Sequence, residues 1–371
     1  MTFRQSTRLA DGRELLYYDE QPGVDRSAPD RRDLPATAAS SQIRWDPLLR
    51  AWSVIAGHRQ TRTYRPPTSD CPLCPSRDDR LTEIPESDYD VVVFENRFPS
   101  LAMGADEQGL SLTSQASDEL ATDEFPFRSA PGIGRCEVVC FTSDHATSFA
   151  QLPPSRARTV IDALADRTTE LCRIDGVEYV FCFENRGEEI GVTLTHPHGQ
   201  IYAYPFVPSR FERAGAVARS YRGENGGCLQ CAIVAAERKA SIRVVAESDL
   251  WTAHVPFAAR WPYEVRLVPQ RHVPDLPSLT SEERDDLARI YLDVLQRFDR
   301  LFGGGRTPYI AGWHQAPVHR DRDVWHLAAE VFTIRRAPGK LKYLAGSESG
   351  AGVWINDVTP EVAAARLRGE T

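Results

Sequence analysis

The chain has 371 residues, 42% of them hydrophobic, and 52 acidic against 44 basic side chains give a net charge of −8. That length exceeds one typical core, so two domains are expected, and the acidic balance excludes an extended nucleic-acid footprint while leaving room for a local basic pocket. No segment approaches the roughly 20 apolar residues that cross a bilayer, and the opening stretch MTFRQSTRLADGRELLYYDE has no apolar core of signal-peptide length. A cytoplasmic setting with reduced thiols and no membrane contact is expected.

In chain order, residues 1–41 are charged and rich in Pro and Asp and read as an irregular arm. IRWDPLLRAWSVIA (43–56) reads as a hairpin around Asp46-Pro47. DVVVFEN (90–96) and CEVVCF (136–141) are short apolar strands, separated by a long polar loop that includes 105–131. Val160, Ile161, Leu164, Leu171 and Cys172 follow helical spacing after Pro153-Pro154. Strands VEYVFCFEN (177–185) and GQIYAYPF (199–206) follow. The second half gives strands at 242–247, 250–256 and 263–269. A long helix then shows one apolar face from Leu287 to Leu301, and strands at 308–313 and 326–334 close the unit.

The order of features occurs twice: C-x-x-C, strands, histidine, helix, strand, histidine. His145 to His196 spans 51 residues (196 − 145), and His272 to His326 spans 54 (326 − 272). Internal duplication accounts for this, and each copy is expected to be an antiparallel sheet with a crossing helix, an α+β fold. The boundary is expected near Gly223–Gly227, giving units of 42–224 and 225–371.

Four of the eight cysteines form two C-x-x-C pairs, which in a reducing compartment point to metal ligation or redox chemistry. Cys136, Cys140, Cys172 and Cys182 lie in or beside apolar runs and read as small core residues. Structural zinc takes four N or S ligands in a tetrahedron. Cys71, Cys74, His145 and His196 supply one such set, and Cys228, Cys231, His272 and His326 supply a second in the same order. Four protein ligands leave no open position, so both metals would be structural. Neither set matches the H-E-x-x-H helix of a metalloprotease.

His196-Pro197-His198-Gly199-Gln200 carries the chemistry. In an extended segment the two imidazoles point to opposite faces, so His196 can ligate metal while His198 faces a site and Gln200 shares its side. Pro197 stiffens the link, and Gly199 is expected to let the backbone approach a ligand. Neutral imidazole is a competent nucleophile near neutral pH, and the Gln200 amide can stabilise charge developing on phosphoryl oxygens. Gly187, Gly191, Thr193 and Thr195 could line a phosphate pocket.

Taken together, FENRG (183–187), HPHGQ (196–200), CPLC (71–74), CFTSDH (140–145), the 43–62 segment, ENRFP (95–99), WPYEVRLVPQRH (261–272) and the 335–361 segment resemble the galactose-1-phosphate uridylyltransferases of the histidine-triad superfamily. The resemblance covers nearly the whole chain and implies two tandem histidine-triad-like domains. It implies ping-pong transfer of a uridylyl group from UDP-glucose to galactose 1-phosphate through His198, with Gln200 as a hydrogen-bond donor to the phosphoryl oxygens. It also implies substrate contacts at Arg59, Arg62, Asn96, Asn185 and Thr193. Lys342 and Glu348 would contact sugar in a site shared with a partner subunit, hence a homodimer. The family's H-x-H in the last strand is replaced by Ala328 and Glu330, with His314 as the part that matches, so the second metal is expected to be zinc on the second C-x-x-C. An alternative within the superfamily is an ADP-sugar phosphorylase using the same histidine.

Overall fold

Runs of β-branched and aromatic residues become strands in the computed structural model, which describes residues 2–35, 41–61, 65–77, 79–103 and 127–370. In the first half these are β1 (Phe3–Arg8), β2 (Glu14–Asp19), β3 (Gln42–Asp46), β4 (Ala51–Ile55), β5 (Val91–Glu95), β6 (Ser129–Pro131) and β7 (Arg135–Cys140). Helix α1 (Pro154–Leu171), β8 (Tyr179–Arg186), β9 (His198–Tyr204) and α2 (Ser209–Asn225) follow. The second half comprises α3 (Leu229–Ala240), β10 (Val244–Glu247), β11 (Trp251–His254), β12 (Tyr263–Pro269), α4 (Ser281–Arg300), β13 (Tyr309–His314), β14 (Ala328–Thr333) and α5 (Pro360–Arg368). Among the described residues, no helix is long and apolar enough to cross a membrane.

The two expected sheets are joined. β8 of the first half pairs with β13 of the second, giving one antiparallel 11-stranded sheet in the order β1-β2-β5-β7-β9-β8-β13-β14-β12-β11-β10. The β8–β13 seam relates the halves: Phe183 pairs with Gln200 on one side, and Gly312 pairs with Glu330 on the other. The 43–56 hairpin forms as expected and joins β6 in a separate three-stranded sheet.

Both crossing helices cover one face of the large sheet. Val160 and Ile161 of α1 and Leu287, Tyr291 and Leu295 of α4 bury against Val139, Cys182, Ile201, Ala311 and Val331. Each such side chain removed from water contributes about 1.5–3 kcal/mol, which fixes the face of β9 that carries Ile201 toward the helices. Alternation then sends His198 and Gln200 to the opposite face. Thr280 starts α4 with a capping box: its hydroxyl accepts from the Glu283 amide (3.2 Å), and its own amide donates to the Glu283 carboxylate (2.8 Å).

Two expectations fail locally. The arm is not irregular throughout, since β1 and β2 extend the sheet at its edge and bury Leu15, Leu16, Tyr17 and Tyr18. ELLYYD is short and buried on both faces, so it lacks the alternation that marks a strand in sequence. Nor is Gly223–Gly227 a linker throughout, because α2 runs through Gly223 and stops at Gly226 (φ 74°). Only Phe211 and Gly215 of α2 are buried, so it has no apolar stripe to read.

Candidate active site and metal centres

The loop after β7 delivers His145, and the strand entry before β9 delivers His196. Both meet the Cys71/Cys74 turn, and the ligand atoms of all four residues lie within 4.8 Å of one another. The second half does the same with Cys228, Cys231, His272 and His326. Cys74 Sγ lies 3.3 Å from His145 Nδ1 and 3.6 Å from His196 Nδ1, and Cys231 Sγ lies 3.3 Å from His326 Nδ1 and 3.9 Å from His272 Nδ1. The outward nitrogens of the two buried histidines, His196 and His326, are occupied. His196 Nε2 donates to the Thr142 carbonyl (2.8 Å), and His326 Nε2 donates to the Pro269 carbonyl (3.0 Å). These bonds put the ring proton on Nε2 and leave each Nδ1 lone pair facing the thiols, the orientation a metal ligand needs. Burial pushes the Cys71 and Cys231 thiols up to about 12 and the His196 and His326 imidazoles down to about 4. A divalent cation would reverse the thiol preference, since it binds thiolate and neutral imidazole. The redox alternative for these cysteines explains neither the two histidines at each pair nor their orientation.

His198 opens β9. Its Nδ1 donates to the His196 carbonyl at 2.7 Å. A carbonyl only accepts, so the ring proton resides on Nδ1 and Nε2 keeps its lone pair. Burial shifts the His198 pKa below the usual histidine value, partly offset by that hydrogen bond, so the ring is neutral near pH 7. The chain at His196 thus does two jobs: its ring faces the thiols, and its carbonyl orients the neighbouring imidazole.

His198 lines a cavity of about 170 Å³ at the ends of β8 and β9. Pairing of Glu184 with Gly199 sets Asn185 beside His198 on the same face, and Asn185, Gly187 and Thr195 line the cavity as expected. Gly187 has φ 109°, and a Cβ there would lie 2.6 Å from Pro308 Cβ. Only glycine holds this turn against the second half. Gly191 and Thr193 are not among the lining residues; the Thr193 carbonyl accepts from the Arg65 amide (3.0 Å). Sequence reasoning missed Arg186 and Arg306, which bring positive charge to the wall. Arg186 stood inside the quoted FENRG segment, and its guanidinium is held by Asp299 of α4 and the Thr307 carbonyl. Arg306 comes from the other half of the chain, and no spacing signal could connect it to His198.

Gly199 plays a different part from the one expected. Its missing Cβ faces Phe141 Cζ at 2.9 Å and the Phe183 carbonyl at 3.0 Å, so it serves strand packing and not ligand approach. Gly199→Ala is expected to destabilise by about 1–3 kcal/mol through overpacking, read as a lower urea midpoint. An unchanged midpoint would show that Phe141 yields freely.

Behind His198, Glu184 points to the helix-covered face. It is buried, with the Tyr309 hydroxyl as a polar neighbour. Burial pushes this carboxyl up to about 7. The folded pKa exceeds the unfolded value of about 4.3, so the folded state binds more protons between the two. Stability from this group is greatest below the unfolded value and is lost as pH rises through about 7. The loss is of the order of 3 kcal/mol between about pH 4.5 and 7.5. Glu184→Gln is expected to flatten that slope in urea midpoints, and equal slopes in both proteins would refute it.

The remaining site candidates lie elsewhere. Gln200 shares the His198 face of β9 two residues on, beyond the cavity wall. Arg59 bonds to the Ser100 hydroxyl, and the Asn96 amide donates to the Cys136 carbonyl (2.8 Å), opposite Tyr202 farther along β9. Arg62 lies outside the described residues. Lys342 and Glu348 are buried against each other (2.8 Å) on a loop of the second half and are not among the residues lining the His198 cavity. Lys342 holds the Glu348 carboxyl well below its usual range.

At the matching place in the second half stand Ala328 and Glu330, so no imidazole occupies the position equivalent to His198. Burial alone would raise the Glu330 pKa. His314 (3.7 Å), Arg210 (2.7 Å) and Arg266 (3.4 Å) outweigh it and hold the carboxyl below its usual range.

Two family sequence models match the chain. The description "Galactose-1-phosphate uridyl transferase, N-terminal domain" covers residues 26–208, and the corresponding C-terminal domain covers residues 216–370. The chain is 45% identical to a galactose-1-phosphate uridylyltransferase of Streptomyces lividans, over 98% of this chain and 97% of that one. It is 37% identical to a protein of the same name from Thermotoga maritima, over 88% and 98%. A solved structure described as that of a uridylyltransferase aligns with a TM-score of 0.75 at 33% identity, covering 89% of this chain and 98% of that one.

Proposed function

Since the chain belongs to the galactose-1-phosphate uridylyltransferase family, a family of nucleotidyltransferases, we propose that it moves a uridylyl group from UDP-glucose to galactose 1-phosphate in two steps through His198. The Nε2 lone pair attacks the α-phosphorus, the bond to the β-phosphate oxygen breaks, and glucose 1-phosphate leaves with that electron pair. A phosphate oxygen of galactose 1-phosphate then attacks the same phosphorus, the P–N bond breaks, and His198 regains its lone pair. The observation that carries this reading is the 2.7 Å bond from His198 Nδ1 to the His196 carbonyl, which fixes the reactive tautomer. Splitting one transfer into two in-line displacements is what a nucleophilic imidazole supplies. Asn185 lines the cavity beside His198 and would donate to phosphoryl oxygens, and the family resemblance assigns the remaining donor and nucleotide contacts to Gln200, Arg59, Arg62, Asn96 and Thr193.

Both metal sites are assigned to zinc, since two thiolates and two imidazoles are its customary tetrahedral set. Bound there, zinc would brace His196 and the Cys71/Cys74 turn, and all the chemistry stays with protein side chains. Lys342 and Glu348 belong to a loop that serves the sugar site of a second copy, which makes the working form a homodimer. Reduced thiols at both sites suit a cytoplasmic setting.

Intact mass spectrometry tests the chemistry. Incubation with UDP-glucose is expected to add one uridylyl group, and galactose 1-phosphate is expected to remove it. An adduct from ADP-glucose alone would keep the nucleophile and replace the substrate. No adduct from either would refute the covalent route.

A further inference from the structure

Five arginines line a second cavity of about 410 Å³: Arg297 and Arg300 from the end of α4, Arg336 from the segment after β14, and Arg366 and Arg368 from α5. On a chain of net charge −8 this concentration of positive charge needs an account. Helix ends supply part of it, because basic side chains in a last turn meet the negative end of the macrodipole. Arg297 pairs with Asp293 (2.7 Å) and donates to the Leu367 carbonyl (3.1 Å). Arg368 pairs with Glu370 (2.6 Å) and donates to the Val244 carbonyl (2.7 Å). The other three are less committed. Among the described residues, Arg300 reaches only Asp293, at 3.9 Å, a carboxylate already engaged by Arg297. Arg336 pairs with Asp357 at 2.8 Å, both side chains being more than two-fifths exposed. Arg366 donates to the Tyr263 hydroxyl (2.9 Å) and, among the described residues, has no carboxylate partner. Five guanidiniums against Asp293, Asp357 and Glu370 leave two positive charges over, and none of those three carboxylates lines the cavity.

We propose that this cavity is a second anion site, taking a diphosphate or polyphosphate group on Arg300, Arg336 and Arg366. Guanidinium presents its donors as a fork that matches phosphoryl oxygens two at a time. The uncompensated charge of two suits a group carrying at least two negative charges, and a concave wall concentrates the field. The volume falls in the range of small-molecule sites. The cavity shares no lining residue with the one at His198, so binding here is separate from the transfer chemistry. The diphosphate could be free or part of a nucleotide, and the chemistry recognised is the same.

Calorimetric titration of the full metal-loaded chain with inorganic pyrophosphate tests the site. Binding is expected, weakening as salt rises from about 50 to about 500 mM. The Arg300→Gln/Arg336→Gln protein is expected to bind at least about tenfold more weakly, with an unchanged melting temperature and unchanged uridylyl uptake. Both replaced side chains are well exposed, so folding is preserved. Adding Arg366→Gln should remove the remaining binding. No pyrophosphate binding by the wild type, or equal binding by the double variant, would overturn the proposal. UDP separates the sources: a parallel loss for UDP assigns a nucleotide, and a loss for pyrophosphate alone assigns a free polyphosphate.

Discussion

His198→Ala is expected to lower uridylyl transfer by about 10⁴-fold or more and to abolish the covalent adduct. The His198 ring sits in the cavity with its proton held on Nδ1 by the His196 carbonyl, which leaves Nε2 as the reactive lone pair. Among the described residues, no second imidazole is available in the cavity, because His196 turns its ring toward Cys74. Residual activity would come from binding and donor groups alone. The substitution removes a half-buried ring and one hydrogen bond, about 1 kcal/mol of stability, so the variant should fold. Stopped assays with UDP-glucose and galactose 1-phosphate, beside a melting curve, check both points. A loss of less than tenfold in a folded variant would remove His198 from the mechanism.

Cys74→Ser is expected to release one equivalent of metal and to lower both stability and transfer, whereas Cys231→Ser should release the other equivalent and leave transfer largely intact. The asymmetry follows from what each site supports. Cys74 Sγ touches both His145 and His196, and the His196 carbonyl holds the reactive tautomer of His198. Loosening His196 therefore reaches the nucleophile directly. The second site holds His326, and the strand it leads into carries Ala328 and Glu330 in place of a nucleophile. Loss of a structural metal costs several kcal/mol, which for a chain of this size lowers the melting temperature by about 10 °C. Metal analysis by mass spectrometry gives the stoichiometry. Retention of both equivalents in either variant would refute that assignment, and equal activity losses would refute the link through His196.

Local pattern made much of this molecule legible. The helical spacing at Val160, Ile161 and Leu164, the apolar face from Leu287 to Leu301, and the β-rich runs at 177–185 and 199–206 all became the expected elements. The two C-x-x-C pairs and four histidines could be grouped because duplication gave the same order twice, and the structure brings each group within 4.8 Å. β1 and β2 were not legible, because ELLYYD buries both faces and has no alternation. Helix α2 was not legible either, because it buries too little to leave a stripe.

What the sequence by itself determined is the chemistry carried by short stretches of chain. Two imidazoles flanking Pro197 must face opposite ways on an extended segment, so metal ligand and nucleophile are separated by strand geometry alone. What only the tertiary structure decided is everything that depends on the β8–β13 seam. That seam merges two sheets into one, presses Gly187 against Pro308, and sets Arg306 of one half into the wall beside His198 of the other. Pairing between strands 120 and more residues apart is set by packing against α1 and α4, and neither strand carries a local mark of its partner.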